Sequence, residues 1–298
     1  MTKFAYLGPE GTFSQVAAKH ASSAVFGEVL FVCCETISEV FNSVLSDQAN
    51  FGVVPIENSS GGTIMETVDR LVDCYETINI AWRCDLNICL ALLGKKNKTL
   101  QKIYSHYVPF EHCRKWLDTN YPSPIERIAV QSTSQAAALV QGSPLGAAAI
   151  AAKICAEQYD LDILALPEQD VANVTQFLTI MPKKKVTAGH KQLLTGDRTS
   201  TMLAFLPNDP GSLCNFLLPF RDLQVNLSRI VSRAIPGVPG QYVFLVDVQG
   251  SYSGEGDDPD ECKVKGEDIR KAINLATQDK KARVEIVGDY PFIGVFDA

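Results

Sequence analysis

No C-x-x-C pair, no H-E-x-x-H sequence, no G-x-G-x-x-G and no Walker A loop occurs anywhere in this chain. The first two absences remove the usual spacings for zinc or a redox-active cysteine pair. The last two remove the glycine loops that cradle dinucleotide and nucleoside triphosphate phosphates. Histidine is scarce, with copies at His20, His106, His112 and His190 only, and none sits beside a ladder of carboxylates. Neither a metal nor an organic cofactor is therefore expected. Positive charge is also in deficit: 27 Lys and Arg against 34 Asp and Glu leave a formal net charge of −7. That balance speaks against a general polyanion-binding surface and hence against a nucleic-acid partner. No apolar run approaches the length that spans a bilayer, so membrane insertion is not expected. The first seven residues enter a strand pattern without the apolar core of a signal peptide, and the expected location is the cytoplasm. Nine cysteines, including the adjacent Cys33 and Cys34 and the isolated Cys84 and Cys89, form no paired framework. Reduced, mostly buried thiols are the expected state.

What is present fits a globular α/β protein of more than one folding unit. Its 298 residues are 46% hydrophobic and 20% charged, enough to bury a large core. Residues 4–7 read as a buried strand, followed by a glycine-containing turn and a helix over 15–20, with Thr12 or Ser14 able to cap it. Residues 28–33 read as a strand and 36–46 as a helix, with Ile37, Val40, Phe41, Val44 and Leu45 at helical spacing. Another apolar strand, 51–56, delivers Glu57, Asn58 and Ser59 at its carboxyl end, the side on which open α/β sheets collect ligands; a helix is expected from about Thr63. The strand-rich run 78–93 is expected to cross into a second lobe, and within it the charge of Arg83 is either solvated or committed to a partner. Beyond it come a strand over 128–130, a helix capped by Ser132, Thr133 or Ser134, and a second small-residue helix over 147–156. Residues 163–166 precede the most chemically suggestive stretch, 170–178. There Asn173, Thr175 and Gln176 place amides and a hydroxyl just before the anchoring Phe177 and Leu178. The alternation predicts a doubly wound unit of two lobes, with the second over about 78–166. Four polar walls would line the cleft: the Thr12/Ser14 turn, the Asn58/Ser59 turn, the Ser132/Thr133 helix start and the Asn173–Gln176 segment. Hydroxyls, amides and helix amino termini suit a small carboxylate ligand.

Residues 183–197 read as a solvated linker, its lysines a charged surface. The remainder, 198–298, predicts the order βαββαβ: strands over 199–206, 225–232, 242–248 and 284–287, with helices from about 210 and over 269–276. An acidic loop lies between, in which Glu255, Asp257, Asp258, Asp260 and Glu261 read as solvated charges and not as a calcium site.

Taken together, Tyr6-Leu-Gly-Pro-Glu-Gly-Thr-Phe-Ser14, Gly52-Val-Val-Pro-Ile-Glu-Asn-Ser-Ser60, Ser132-Thr133 and Asn173-x-Thr175-x-Phe177 resemble the motifs of prephenate dehydratases. Asp209-Pro-Gly-Ser-Leu213 and Ser232-Arg233 resemble the effector loops of a following ACT domain. The resemblance implies a periplasmic-binding-protein-like catalytic domain over 1–182 and a ferredoxin-like ACT domain over 198–298. It also implies conversion of prephenate to phenylpyruvate, water and carbon dioxide, without a cofactor. By the same resemblance Thr175, Gln176 and Phe177 are catalytic, and Thr12, Ser14, Glu57, Asn58, Ser59, Ser132, Thr133 and Asn173 bind substrate. Pro210, Gly211, Ser212, Leu213, Ser232 and Arg233 would bind phenylalanine as feedback ligand, in a homodimer or homotetramer. The chain departs from the pattern where the family has arginine and this sequence has Gln176. It departs again at Tyr107-Val108, where the family has Pro-Gln, and at Val231 and Ala234, which flank Ser232-Arg233. A neutral amide in place of a guanidinium implies reduced activity, with Gln176→Arg raising turnover. A non-catalytic sensor of an amino acid or small carboxylate, and an arogenate dehydratase, are the alternative readings.

Overall fold

Two sheets carry the chain in a computed structural model that describes residues 1–23, 26–96, 99–143, 146–185, 197–235, 237–238, 240–254, 265–278 and 281–298. The expected acidic charges at 255, 257, 258, 260 and 261, and most of the expected linker, fall outside these residues.

The chain opens with β1 (Thr2–Leu7), α1 (Phe13–Ser23), β2 (Val29–Cys34), α2 (Ile37–Leu45), β3 (Phe51–Asn58), the two-residue β4 (Gly62–Thr63), α3 (Met65–Cys74) and β5 (Ile78–Asn87). β1 pairs in parallel with both β2 and β3. Such strands are covered on both faces, which is why β3 is a continuous buried run from Phe51 to Ile56. α2 starts at the Thr36 cap, whose hydroxyl accepts from the Glu39 amide at 3.1 Å while the Glu39 carboxylate takes the Glu35 amide at 2.8 Å. Its apolar stripe of Ile37, Val40, Phe41 and Val44 is buried against the sheet.

A second sheet follows, built from β6 (Leu90–Gly94), β7 (Lys102–Ser105), β8 (Glu126–Ala129), β9 (Ala147–Ala152) and β10 (Asp162–Ala165) in the order β10-β6-β9-β7-β8. Its helices are α4 (Tyr107–His112), α5 (Arg114–Asn120), α6 (Thr133–Gln141) and α7 (Ile154–Gln158). Two expectations are corrected here. Residues 147–152 form a strand and not a helix, because they are the central member of the sheet, antiparallel to β6 and parallel to β7. Alanine favours a helix in isolation, but its small side chains here let α6 close on one face while Ile150 fills the other. The crossing between lobes also comes later than residue 78: β5 stays in the first sheet, and the chain leaves it at Ile88 and Cys89. The helix expected from about Thr63 begins at Met65, since Thr63 is held in β4 opposite Glu57.

The chain returns through β11 (Val174–Pro182), antiparallel to β3 and β5, and a single 3-10 turn at Lys183–Lys185. The final unit is β12 (Arg198–Leu206), α8 (Ser212–Asp222), β13 (Leu227–Ala234), β14 (Tyr242–Gln249), α9 (Gly266–Ala276) and β15 (Arg283–Asp297). This is the βαββαβ order read from the sequence, with its four strands arranged β13-β14-β12-β15 as in ferredoxin-like folds. Its last strand is much longer than expected, and the excess has a role. β15 pairs in parallel with β5, so the first sheet and the final unit form one ten-stranded sheet. Arg83 is committed at this seam, stacked over Phe292 at 4.6 Å and 3.3 Å from Asp85. Gly288 permits the close approach: a Cβ there would lie 2.6 Å from the Ile80 Cβ and 3.1 Å from the Ile80 carbonyl oxygen, neither of which can give way. Gly288→Ala is therefore expected to cost about 1–3 kcal/mol, read as a lower urea midpoint. Among the described residues no helix is long and apolar enough to cross a membrane.

Candidate active site

β3 and β11 lie side by side with Thr175 opposite Asn58 and Gln176 opposite Glu57. The Asn58 side chain is oriented by the turn that follows it, its Oδ1 accepting from the backbone N–H groups of Ser60 at 2.9 Å and Gly61 at 2.8 Å. That fixes which end of the amide is nitrogen, and both of its hydrogens are used: Nδ2 donates to Asn173 Oδ1 at 2.8 Å and to Thr175 Oγ1 at 2.9 Å. The Thr175 hydroxyl is thus an acceptor towards the protein. Its own proton is directed elsewhere, and the side chain is nearly buried. Such a group is a positioned hydrogen-bond donor.

Asn173 is held in turn. Its Nδ2 meets His112 Nδ1 at 3.1 Å and Gln169 Oε1 at 3.4 Å, so a residue of the second lobe reaches the wall of the first. An amide hydrogen needs a lone pair, and His112 supplies one only as the Nε2–H tautomer of a neutral ring. Burial lowers the His112 pKa below the ordinary histidine value, against the opposing pull of Asp170 and Glu111, and this keeps the ring neutral. The linkage sign follows: a histidine with a depressed folded pKa contributes stability above its unfolded value near 6.5, lost as pH falls. Wild-type stability is expected to drop as pH falls below about 6.5 with a component absent from His112→Gln. Urea midpoints of both proteins, compared at neutral and mildly acid pH, measure it.

The other expected cleft groups are less free. Ser59 Oγ donates to the Ala172 carbonyl and accepts from the Val174 amide, each at 3.0 Å, tying the β3 turn to the approach to β11. Thr12 Oγ1 donates to the Leu7 carbonyl at 2.9 Å and is 3.4 Å from the Gln15 amide. Ser14 is buried in α1, and Ser132 caps α6 by accepting from the Gln135 amide at 3.0 Å, with Thr133 as the first helical residue. The turn at Glu10 and Gly11 and the start of α6 do meet. Ser134 Oγ donates to the Glu10 carbonyl at 2.5 Å and lies 2.9 Å from the Tyr159 hydroxyl, while Cys155 Sγ contacts the Gly11 carbonyl at 3.2 Å. Burial pushes Cys113 up to about 12 and Cys155 up to about 11, so both are thiols at neutral pH and unsuited to nucleophilic work.

Strand alternation sends the neighbours of Thr175 and Asn58 the other way. Gln176 and Glu57 face Arg229 of β13, which donates through NH2 to Gln176 Oε1 at 2.5 Å, through Nε to Glu57 at 2.9 Å and through NH1 to Asp247 at 2.7 Å. Asp247 also accepts from Thr201 Oγ1 at 2.6 Å, and Thr201 Oγ1 lies 2.8 Å from the Tyr290 hydroxyl. Burial raises the Asp247 carboxyl above its ordinary range, partly offset by Arg229 and Thr201. Burial opposes the charge of Arg229 as well, but Asp247, Tyr290 and Glu57 outweigh it and raise the guanidinium further. The expectation for Gln176→Arg changes accordingly: a second guanidinium would face Arg229. Phe177 is a core residue between these faces, beside Tyr6, Trp82 and Leu86.

In the final unit Gly211 adopts φ +85° at the start of α8, with Pro210 before it and Ser212 and Leu213 after it. Ser232 points to solvent from β13, and Arg233 forms a two-nitrogen bridge to the Asp69 carboxylate on α3. His112, Gln169, Tyr159, Arg229 and Asp247 were not legible as site residues. None lies in a glycine turn or at a strand end with a cluster of polar neighbours, and each reaches the site only through tertiary contact.

A family model described as prephenate dehydratase matches residues 4–185. The chain is 39% identical over 295 residues to the bifunctional chorismate mutase/prephenate dehydratase of Pseudomonas aeruginosa, covering 97% of this chain and 73% of that one. It is 34% identical to the prephenate dehydratase of Lactococcus lactis, covering 83% and 86% of the two chains. Among solved structures, a prephenate dehydratase from Arthrobacter aurescens in complex with L-Phe shares the fold at a TM-score of 0.78 and 24% identity, over 97% of this chain and 90% of that one.

Proposed function

We propose, from the premise that this chain belongs to the prephenate dehydratase family, that it converts prephenate to phenylpyruvate, carbon dioxide and water. The observation that carries this reading is the Thr175 hydroxyl, held as an acceptor by Asn58 so that its own hydrogen points away from the protein scaffold. In the reaction the ring carboxylate leaves as carbon dioxide. Its bonding pair moves into the ring, the bond from the ring to the hydroxyl oxygen breaks, and that oxygen takes up a proton from solvent to leave as water. Thr175 donates the hydrogen bond that the departing oxygen needs as it gains negative charge. A threonine hydroxyl is a weak acid, so its effect comes from position and from the fixed dipoles of Asn58 and Asn173. Ser132, Thr133 and the amino terminus of α6 provide donors suited to a carboxylate.

The domain assignment belongs to the same reading: a catalytic domain over 1–182, a linker over 183–197 and an ACT regulatory domain over 198–298. The βαββαβ order of the last unit, the left-handed Gly211 that opens α8 and the position of Ser232 and Arg233 on β13 support it. Phenylalanine is the effector to try first, since the solved protein of the same fold holds it. A homodimer or homotetramer in the cytoplasm completes the proposal.

Incubation of the purified chain with prephenate and, separately, with arogenate, followed by identification of the products, tests it. Phenylpyruvate formed well above the uncatalysed rate supports the dehydratase. Phenylalanine formed from arogenate in preference identifies the other substrate. Binding of either compound without turnover leaves a sensor and removes the enzyme. Repeating the assay with added phenylalanine, and sizing the protein, tests the regulatory and oligomeric parts.

A further inference from the structure

The geometry points to Arg229, in the carboxy-terminal unit, as a positioning residue for the reaction: from behind the sheet it fixes the spacing of Thr175 and Asn58 by clamping Gln176 to Glu57. This inference rests on the dehydratase reading.

The pair Thr175 and Asn58 sits at a weak place in the ladder. Immediately beyond Gln176 and Glu57 the register shifts, so that Phe177 faces Pro55 and Ile56 has no counterpart on β11. A bulge loosens and twists the strands that flank it. The last regular pair before it is Gln176 with Glu57, one residue from the catalytic pair, and Arg229 holds both members. Its third donor nitrogen is tied to Asp247 on β14, so the clamp is anchored in a separate unit of the chain. All three bonds are short, and the arginine side chain is almost wholly buried. A planar guanidinium with three committed nitrogens has one orientation, which it imposes on its partners. Displacement of Gln176 or Glu57 would carry Thr175 or Asn58 with it, since each pair shares a peptide bond.

Removing Arg229 alone strands the Asp247 carboxylate in the interior, so the variant to use is Arg229→Gln combined with Asp247→Asn. We expect kcat to fall by about tenfold or more, as small misplacements of reacting groups do, with KM for prephenate changed by less than about twofold. Adding Gln176→Arg to this pair returns a guanidinium directly opposite Glu57 and should recover most of the lost kcat. Arg283→Ala breaks a different contact between the units, that with Tyr75, and should leave kcat unchanged. Amide hydrogen exchange across 55–58 and 174–177 should be faster in the double variant and slower again after Gln176→Arg. An unchanged kcat in the double variant, or a loss that Gln176→Arg does not repair, overturns the inference. Should the unaltered chain form no phenylpyruvate, the dehydratase reading fails by itself. The clamp is then judged by exchange alone, and equal rates in all three proteins overturn it.

Discussion

Replacing Thr175 with alanine should lower kcat for prephenate by about a hundredfold or more, the scale of losing one preorganised hydrogen-bond donor to developing charge, while Thr175→Ser should keep most of the activity. Asn58 Nδ2 spends a hydrogen on Thr175 Oγ1, so the hydroxyl can only donate outward, and alanine leaves nothing there to meet the departing oxygen. The fold should tolerate the change, because the lost partner is one hydrogen of an amide whose other contacts, to Asn173, Ser60 and Gly61, remain. KM should therefore move little, since the hydrogen bond strengthens as charge develops and is weak towards bound substrate. Phenylpyruvate formation by the three proteins at saturating prephenate decides it, and equal rates for alanine and threonine would remove Thr175 from the chemistry.

Asp247→Ala should be the most destabilising single change at the junction, costing about 3–5 kcal/mol, the usual loss when one partner of a buried ion pair is removed. Arg229 would keep Glu57 but lose its shortest carboxylate contact in a dry setting, and Thr201 would lose its acceptor. Asp247→Asn retains an acceptor oxygen for Thr201 and should cost less. Combining Asp247→Asn with Arg229→Gln removes both charges and should recover stability relative to Asp247→Ala. Urea denaturation of the set, followed by far-UV circular dichroism, gives the order. A double variant less stable than Asp247→Ala would mean that the pair contributes through packing and not through compensated charge.

The sequence carried the local information well where local physics decides. The helix at 37–45 follows from its apolar spacing, and the turns after β1 and β3 from their glycines and small polar residues. Asn58, Asn173 and Thr175 stood out as amides and a hydroxyl beside buried strands, and they do meet. Other features depend on partners far along the chain. The alanine run at 147–152 has a helical composition and becomes a strand only because β6 and β7 flank it. Gln176 looked like a substitution facing substrate, yet alternation turns it away from Thr175, towards an arginine 53 positions further on. His112 carries no local sign of its role, since its partner Asn173 lies 61 residues away.

The parallel seam between β5 and β15 has a mechanical consequence. Because strand pairing continues from β13 to β2, the amino-terminal lobe and the carboxy-terminal unit share one curled sheet, bent far enough for Arg229 of β13 to reach Glu57 of β3. The smaller sheet, one jaw of the cleft, joins that sheet through two covalent straps, at 88–89 and 166–173, and through a shared core in which Ile103, Leu117 and Ile150 cluster with Phe4, Val16 and Phe51. The second of those straps contains Gln169 and ends at Asn173, and the jaw itself carries His112. Any shift of the smaller sheet would therefore pull on the Asn173 amide, which accepts from Asn58 beside Thr175, coupling the aperture of the cleft to the readiness of its donor.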